Sequence, residues 1–294
     1  MTSVAAEPVP IGKGARRGRW KGFAFRALLL FSLAVGLVTL GTLLVDILRR
    51  GISFLDPLLL TNPPSTNPDL AGARPAILAT IYLGVLLIAF TVPIGVGTAI
   101  YLEEYANKNR WYNRLLEVNI QNLAAVPSIV YGILGLAFLV RGIGLGRVLM
   151  AGALILTLLV LPTIIIAARE AIRAVPDSIR QGAYALGATQ WQVIWRQILP
   201  ASLPGIATGS ILSLSRALGE TAPLLLIGAL QYVAFDPDLF GAFTALPVQI
   251  YIWTRLPDPD FKLLAAAAIV VLLAILLTLN ALAIFIRNRY QRKW

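Results

Sequence analysis

Six long apolar runs, separated by shorter polar or charged stretches, organise the chain. They cover about 27–48, 75–102, 121–140, 148–168, 203–227 and 263–286. At about 1.5 Å rise per helical residue, each can cross a hydrocarbon core of about 30 Å. The pattern predicts an all-α, polytopic membrane protein with six transmembrane helices. Pro93 with Gly95 and Gly97 predicts a kink in the second span, and Pro162 lies inside the fourth. Spanning helices tolerate such residues where neighbouring helices or water satisfy the freed carbonyls. The chain divides into a basic segment 1–26, a first span with a Pro-rich loop 27–74, a core of five spans 75–286, and a basic tail 287–294.

The polar stretches carry their own punctuation. Residues 169–202 interrupt the apolar pattern with two short helices. Asp177 is placed to cap the first, Gly187 to end it in a left-handed turn, and Thr189 with Gln192 to form a capping box for a second helix reaching toward Pro200. The expected product is helix, glycine elbow, helix. Such a rigid projection can enter a cleft on a soluble partner and transmit its movement; an amphipathic loop lying on the bilayer is the plainer alternative. Asp46, Glu103 and Glu104 read as interfacial residues, and Asp236, Asp238, Asp258 and Asp260 as parts of a solvated loop over 228–260.

Charge sets the orientation. Of the 25 Lys and Arg, seventeen fall in the two termini, the segment between the second and third runs, and that between the fourth and fifth, against seven in the other loops. The positive-inside rule makes the first side, with both termini, cytoplasmic. Basic residues from Lys13 to Arg26 alternate with Trp20, Phe23 and Phe25, a mixture suited to an anionic membrane surface. With 58% apolar residues, 13% charged residues and a mean hydropathy of +0.78, the net charge of +11 follows the membrane and implies no nucleic acid. The absence of His and Cys removes a Ser–His pair, the commonest general base, disulfides and thiolate metal sites.

One cost inside the apolar runs stands out. The fifth run holds Arg216 and Glu220, with Arg216 roughly 20 Å from its start, well inside a bilayer. A central arginine costs roughly 2.5 to 3.5 kcal/mol on insertion scales, so such residues face a protein interior or an aqueous path. At a spacing of four the two side chains share a helix face and can form an ion pair, which is one complete explanation. The other is a path for an anion, in which the guanidinium receives the cargo and Glu220 keeps it from becoming a trap. Ser213, Ser215, Gly219 and Thr221 suit either a close helix interface or a polar path.

Several motifs resemble a known family. Gln181-Gly182-Ala183-Tyr184-Ala185-Leu186-Gly187, nine residues, then Gln197-Ile-Leu-Pro200 is similar to the EAA loop of ABC importer permeases, with Gln181, Gly182 and Gln197 standing where Glu, Ala and Ile are usual. Val126-Pro-Ser-Ile-Val-Tyr-Gly132, Leu186-Gly-Ala-Thr-Gln-Trp191 and Arg216-Ala-Leu-Gly-Glu-Thr-Ala-Pro-Leu-Leu225 resemble PstA-type permeases of the bacterial phosphate ABC transporter. The resemblance covers about 75–286 and implies a type I ABC importer permease (MetI-like) fold in the cytoplasmic (inner) membrane. It implies inorganic phosphate as cargo, a PstC-type second permease, a pair of PstB-type ATPase subunits and an external PstS-type phosphate-binding protein. It places Arg216, Glu220, Ser213 and Thr221 on the substrate path and Gln181, Gly182, Ala183, Tyr184, Leu186 and Gly187 at the ATPase contact. The family also has a basic residue near the end of the fourth span; alignment through Val175-Pro-Asp177 puts Ile166 there, with Arg169 one turn later.

No cofactor is expected on this chain. Gly142-Ile-Gly144-Leu-Gly146 lacks the Lys-Ser/Thr of a nucleotide-binding loop, so ATP-Mg is expected on the partner ATPases. Another oxyanion as cargo and an ion-coupled secondary transporter remain alternatives, although the chain shows no inverted repeat. An intramembrane enzyme is disfavoured by the lack of His and of an aspartate pair within the spans.

Overall fold

The structure, a computed structural model, describes residues 14–107, 109–229 and 232–290. Lys13 and Lys108, and Arg292 and Lys293 of the tail, lie outside the described residues. The chain separates into two compact units, Met1–Arg49 and Arg50–Trp294. The first holds most of helix α1 (Gly14–Ile52), which is apolar around its whole circumference from Ala27 to Val45, as a helix facing lipid must be.

The described residues of the second unit are all helix, turn or coil. After the short α2 (Pro57–Thr61) come α3 (Arg74–Ile100), α4 (Trp111–Ala124), α5 (Ser128–Gly135), α6 (Leu149–Arg173), α7 (Asp177–Ala185), α8 (Gln190–Val193), α9 (Leu199–Leu218), α10 (Ala222–Ile227), α11 (Leu246–Arg255) and α12 (Pro259–Tyr290). Single π-helical stretches extend α3 through Tyr105, α5 through Gly142, and join α8 to α9.

Helix α6 is the centre of the bundle. Leu149, Ile155, Leu156, Ile164 and Ile172 are fully enclosed, consistent with a helix apolar on every side. Helix α3 lies close against it: a side chain at Gly95 would meet Ile164 Cγ2 at 2.7 Å. Leu83 and Leu87 of α3, Ile155 and Leu156 of α6, Ala217 and Leu218 of α9 and Phe243 share one apolar cluster. Polar contacts fasten α12 to α9, with Ser215 Oγ and Asn280 Oδ1 2.5 Å apart and Arg287 donating to Thr208 at 2.8 Å.

Among the described residues five helices are long and apolar enough to span, Gly22–Ile52, Arg74–Tyr105, Leu149–Arg173, Gln190–Leu218 and Pro259–Arg289; a sixth span is formed if Trp111–Ala124 and Ser128–Gly142, bent by 104°, count as one. The expected third span is therefore not straight. Pro127 disfavours helix at Val126 before it, so α4 ends and α5 starts afresh at Ser128.

The fifth span differs more. Pro223 has no N–H, and its ring in a continuous helix would strike the carbonyl of Gly219, so α9 stops at Leu218 and α10 begins at Ala222. Glu220 is thus outside the helix that carries Arg216. The polar interruption is also shorter than expected, since α6 runs to Arg173 and the second helix of the elbow is continuous with the fifth span. The loop expected over 228–260 contains α11, whose Leu246, Val248 and Trp253 are buried.

Candidate functional site

The two helix breaks meet. A cavity of about 380 Å³ is lined by Ala125, Val126, Pro127 and Ser128 from the first break and by Ser213, Arg216 and Glu220 from the second, with Leu159, Val160 and Thr163 of α6 between them. The approach depends on Gly132 of α5, where a Cβ would lie 2.8 Å from Pro223 Cα of α10. No larger residue fits that contact without moving backbone.

Arg216 lies in the last turn of α9, where the helix dipole favours a cation. Its side chain is 81% exposed, and its Nε stands 3.8 Å from Glu220 Oε1, an ion-pair distance too long for a hydrogen bond. The guanidinium is therefore held near the carboxylate without being saturated by it. Helix α5 begins at the same cavity, and the first-turn amides of a helix have no intrahelical acceptors and favour negative charge. Ser213 lines this cavity. Thr221 does not; it precedes α10, and its carbonyl accepts from Leu225 N at 3.0 Å. Ser128 and Thr163 are the polar lining residues that motif reading did not single out as site residues.

The elbow forms as a second candidate site. Asp177 is the first residue of α7, after Pro176, and does not cap it; its carboxylate accepts from Arg180 at 3.1 Å instead. Gly187 turns the chain at φ +79°, a left-handed conformation that disfavours a side chain. Thr189 accepts from Gln192 N at 3.4 Å, and Thr189 N donates to Gln192 Oε1 at 2.9 Å, completing the capping box. Gln181, Gly182 and Tyr184 are exposed, and Leu186 at the tip is 90% exposed. Ala183, half-buried, borders a hollow of about 150 Å³ with Leu186, Ala188, Gln192, Val193, Arg196 and Gln197.

The reading of Glu103 and Glu104 as interfacial is overturned. Their side chains are 4% and 8% exposed, enclosed by arginines from more than 60 residues away. Arg169, itself 7% exposed, donates from Nε to Glu103 and from Nη2 to Glu117, each at 2.8 Å. Arg173 reaches the same Glu103 oxygen at 2.7 Å. Arg169 thus has both sides of its fork engaged with carboxylates and is not among the residues lining the cavity at Arg216. Among the described residues no cluster of potential metal ligands occurs.

Comparison with known proteins accords with this architecture. Residues 91–293 match the family described as binding-protein-dependent transport system inner membrane component. A phosphate transport system permease protein PstA from Yersinia pestis is 32% identical over 284 residues, covering 94% of both chains. The phosphate transport system permease protein PstA 1 of Mycobacterium tuberculosis H37Rv is 34% identical over 219 residues, 74% of this chain and 70% of that protein. A bacterial alginate ABC transporter, solved in complex with an alginate-pentasaccharide-bound periplasmic protein, superposes with a TM-score of 0.68 over 94% of this chain and 98% of its own, at 17% identity. The MetNI methionine ABC transporter, in an inward-facing form, gives 0.58 over 75% and 95% at 19% identity. The all-helical fold is thus that of importer permeases, and the chain belongs to the binding-protein-dependent transport system inner membrane components, in their PstA-type group.

Proposed function

We propose that this chain is a membrane-spanning subunit of an ATP-driven importer and forms, with a second, PstC-type permease, the path for inorganic phosphate. The observation that carries the reading is the cavity between the two helix breaks, where an exposed arginine and a helix N-terminus meet at one space. A guanidinium fork matches phosphate oxygens, and Glu220 at 3.8 Å offers a competing partner to which Arg216 returns when the anion leaves. The names of the Yersinia and Mycobacterium relatives support phosphate as the cargo.

Energy enters from outside the chain. A pair of PstB-type ATPase subunits, carrying ATP-Mg, engages the elbow at Gln181, Gly182, Ala183, Tyr184, Leu186 and Gly187, and a PstS-type binding protein delivers phosphate from the other face. Both termini and the elbow are cytoplasmic, following the excess of Lys and Arg on that side. The chain does no bond chemistry: it converts a movement at the elbow into altered access at Arg216.

The test is uptake of radiolabelled phosphate by vesicles containing the whole complex. Arg216→Gln should lower uptake by about 10- to 100-fold, the size expected for losing a charged hydrogen bond worth about 1.5 to 3 kcal/mol, with the complex still assembled. Unchanged uptake by this variant would make the pair purely structural. Stronger inhibition by sulfate than by unlabelled phosphate would move the assignment to another oxyanion.

A further inference from the structure

The acidic pair at the end of α3 divides its contacts between two elements, α6 and the elbow. Glu103 takes the α6 arginines; Glu104 takes the elbow. Arg180 of α7, 17% exposed, uses its whole guanidinium: Nε and Nη2 donate to Glu104 Oε1 at 3.4 and 3.1 Å, Nη2 also to Ile172 O at 2.9 Å, and Nη1 to Val175 O at 2.5 Å and Asp177 Oδ1 at 3.1 Å. The backbone carbonyl of Glu104 in turn accepts from Gln190 Nε2 at 2.5 Å, on the far side of Gly187. One residue at the end of the second span therefore holds both arms of the elbow.

Apolar packing does not supply the same hold. Helix α7 has no buried residue, and its Ile179 and Ala183 lie only partly buried against the cluster formed by Ala99, Ile172, Val193 and Ile198. Apolar contacts of this kind are non-directional and permit sliding. A buried carboxylate facing a guanidinium is different, because desolvation is offset only while every hydrogen bond is kept. The joint therefore resists rotation of α7 relative to α3 and α6.

We propose that Glu104 and Arg180 are positioning residues for coupled transport: they form the rigid joint through which displacement of the elbow turns the cytoplasmic ends of α3 and α6. This rests on the reading of the chain as a permease driven by ATPases at the elbow. Lysine cannot replace Arg180, since a compact ammonium offers three donors where five are used, and without the planar fork.

The experiment measures phosphate moved per ATP hydrolysed by the complete complex with its binding protein in vesicles. Arg180→Lys should leave ATP hydrolysis within about twofold of the parent while phosphate per ATP falls about tenfold, because the charge stays and the fork is lost. Glu104→Gln, which keeps an acceptor oxygen, should fall between, and the double variant should be no worse than Arg180→Lys, since both act on one joint. An unchanged ratio, or hydrolysis and transport declining in parallel, overturns the proposal. Should Arg180→Lys not assemble, the ratio for Glu104→Gln decides by the same outcomes. Absence of ATP-driven uptake by the parent complex would instead refute the permease reading itself.

Discussion

Arg169 and Arg216 each place a guanidinium in an apolar helix, yet the first is 7% exposed and the second 81%. Arg169 is bound by Glu103 and Glu117 at 2.8 Å, so it has little left to offer a ligand. Replacing it by Met should cost about 3 to 5 kcal/mol, because buried Glu103 loses a counter-charge, and should appear as a lower melting midpoint of the purified complex. Arg216 is poised differently. Glu220→Gln removes the competing carboxylate, so half-saturating phosphate should fall while the maximal uptake rate also falls, read from initial rates against concentration. An arginine and a glutamate inside an apolar run were conspicuous in sequence, whereas the burial of Glu103 and Glu104 was not. Their arginine partners lie 66 to 76 residues away, and a carboxylate at the end of a span looks interfacial until those partners are in place.

Most elements were legible because apolar length and capping chemistry are local. The Thr189–Gln192 box and the left-handed Gly187 form as expected. Two failures share a cause: Pro127 and Pro223 fall inside apolar runs, but each ends a helix, and neither break announces that the other lies opposite. Ser128 and Thr163 could be recognised as cavity residues only after that meeting was known. Helix α11 was hidden because its ten residues are too few to span and are flanked by aspartates. Gly132→Ala should cost about 1 to 3 kcal/mol by overpacking against Pro223 Cα, measured as loss of thermal stability and of uptake together. At the elbow, Ala183→Glu should preserve folding, since the side chain is only half-buried, but abolish the stimulation of ATP hydrolysis by the phosphate-loaded binding protein.

For the whole molecule, the bias of Lys and Arg to one side predicts an orientation that can be checked directly, because the chain has no Cys. Single replacements Asp238→Cys and Leu186→Cys should behave oppositely toward a membrane-impermeant maleimide on intact cells: the first labelled at once, the second only after permeabilisation. Both positions are exposed in this chain, and with the chain expressed without the ATPase subunits that engage Leu186, failure to label reports the membrane barrier and not burial.

From the capping box at Thr189 to Leu218 the chain is helical without interruption, 29 residues from Gln190. At about 1.5 Å per residue this is a rod of about 43 Å, with its foot at the elbow and Arg216 at its tip. As a lever, such a rod tilted by about 5° at the foot would sweep its tip by about 4 Å, more than the reach of one hydrogen bond. Because α9 stops at Leu218, α10 is not bound to follow it, and such a tilt would carry the guanidinium away from the α5 terminus.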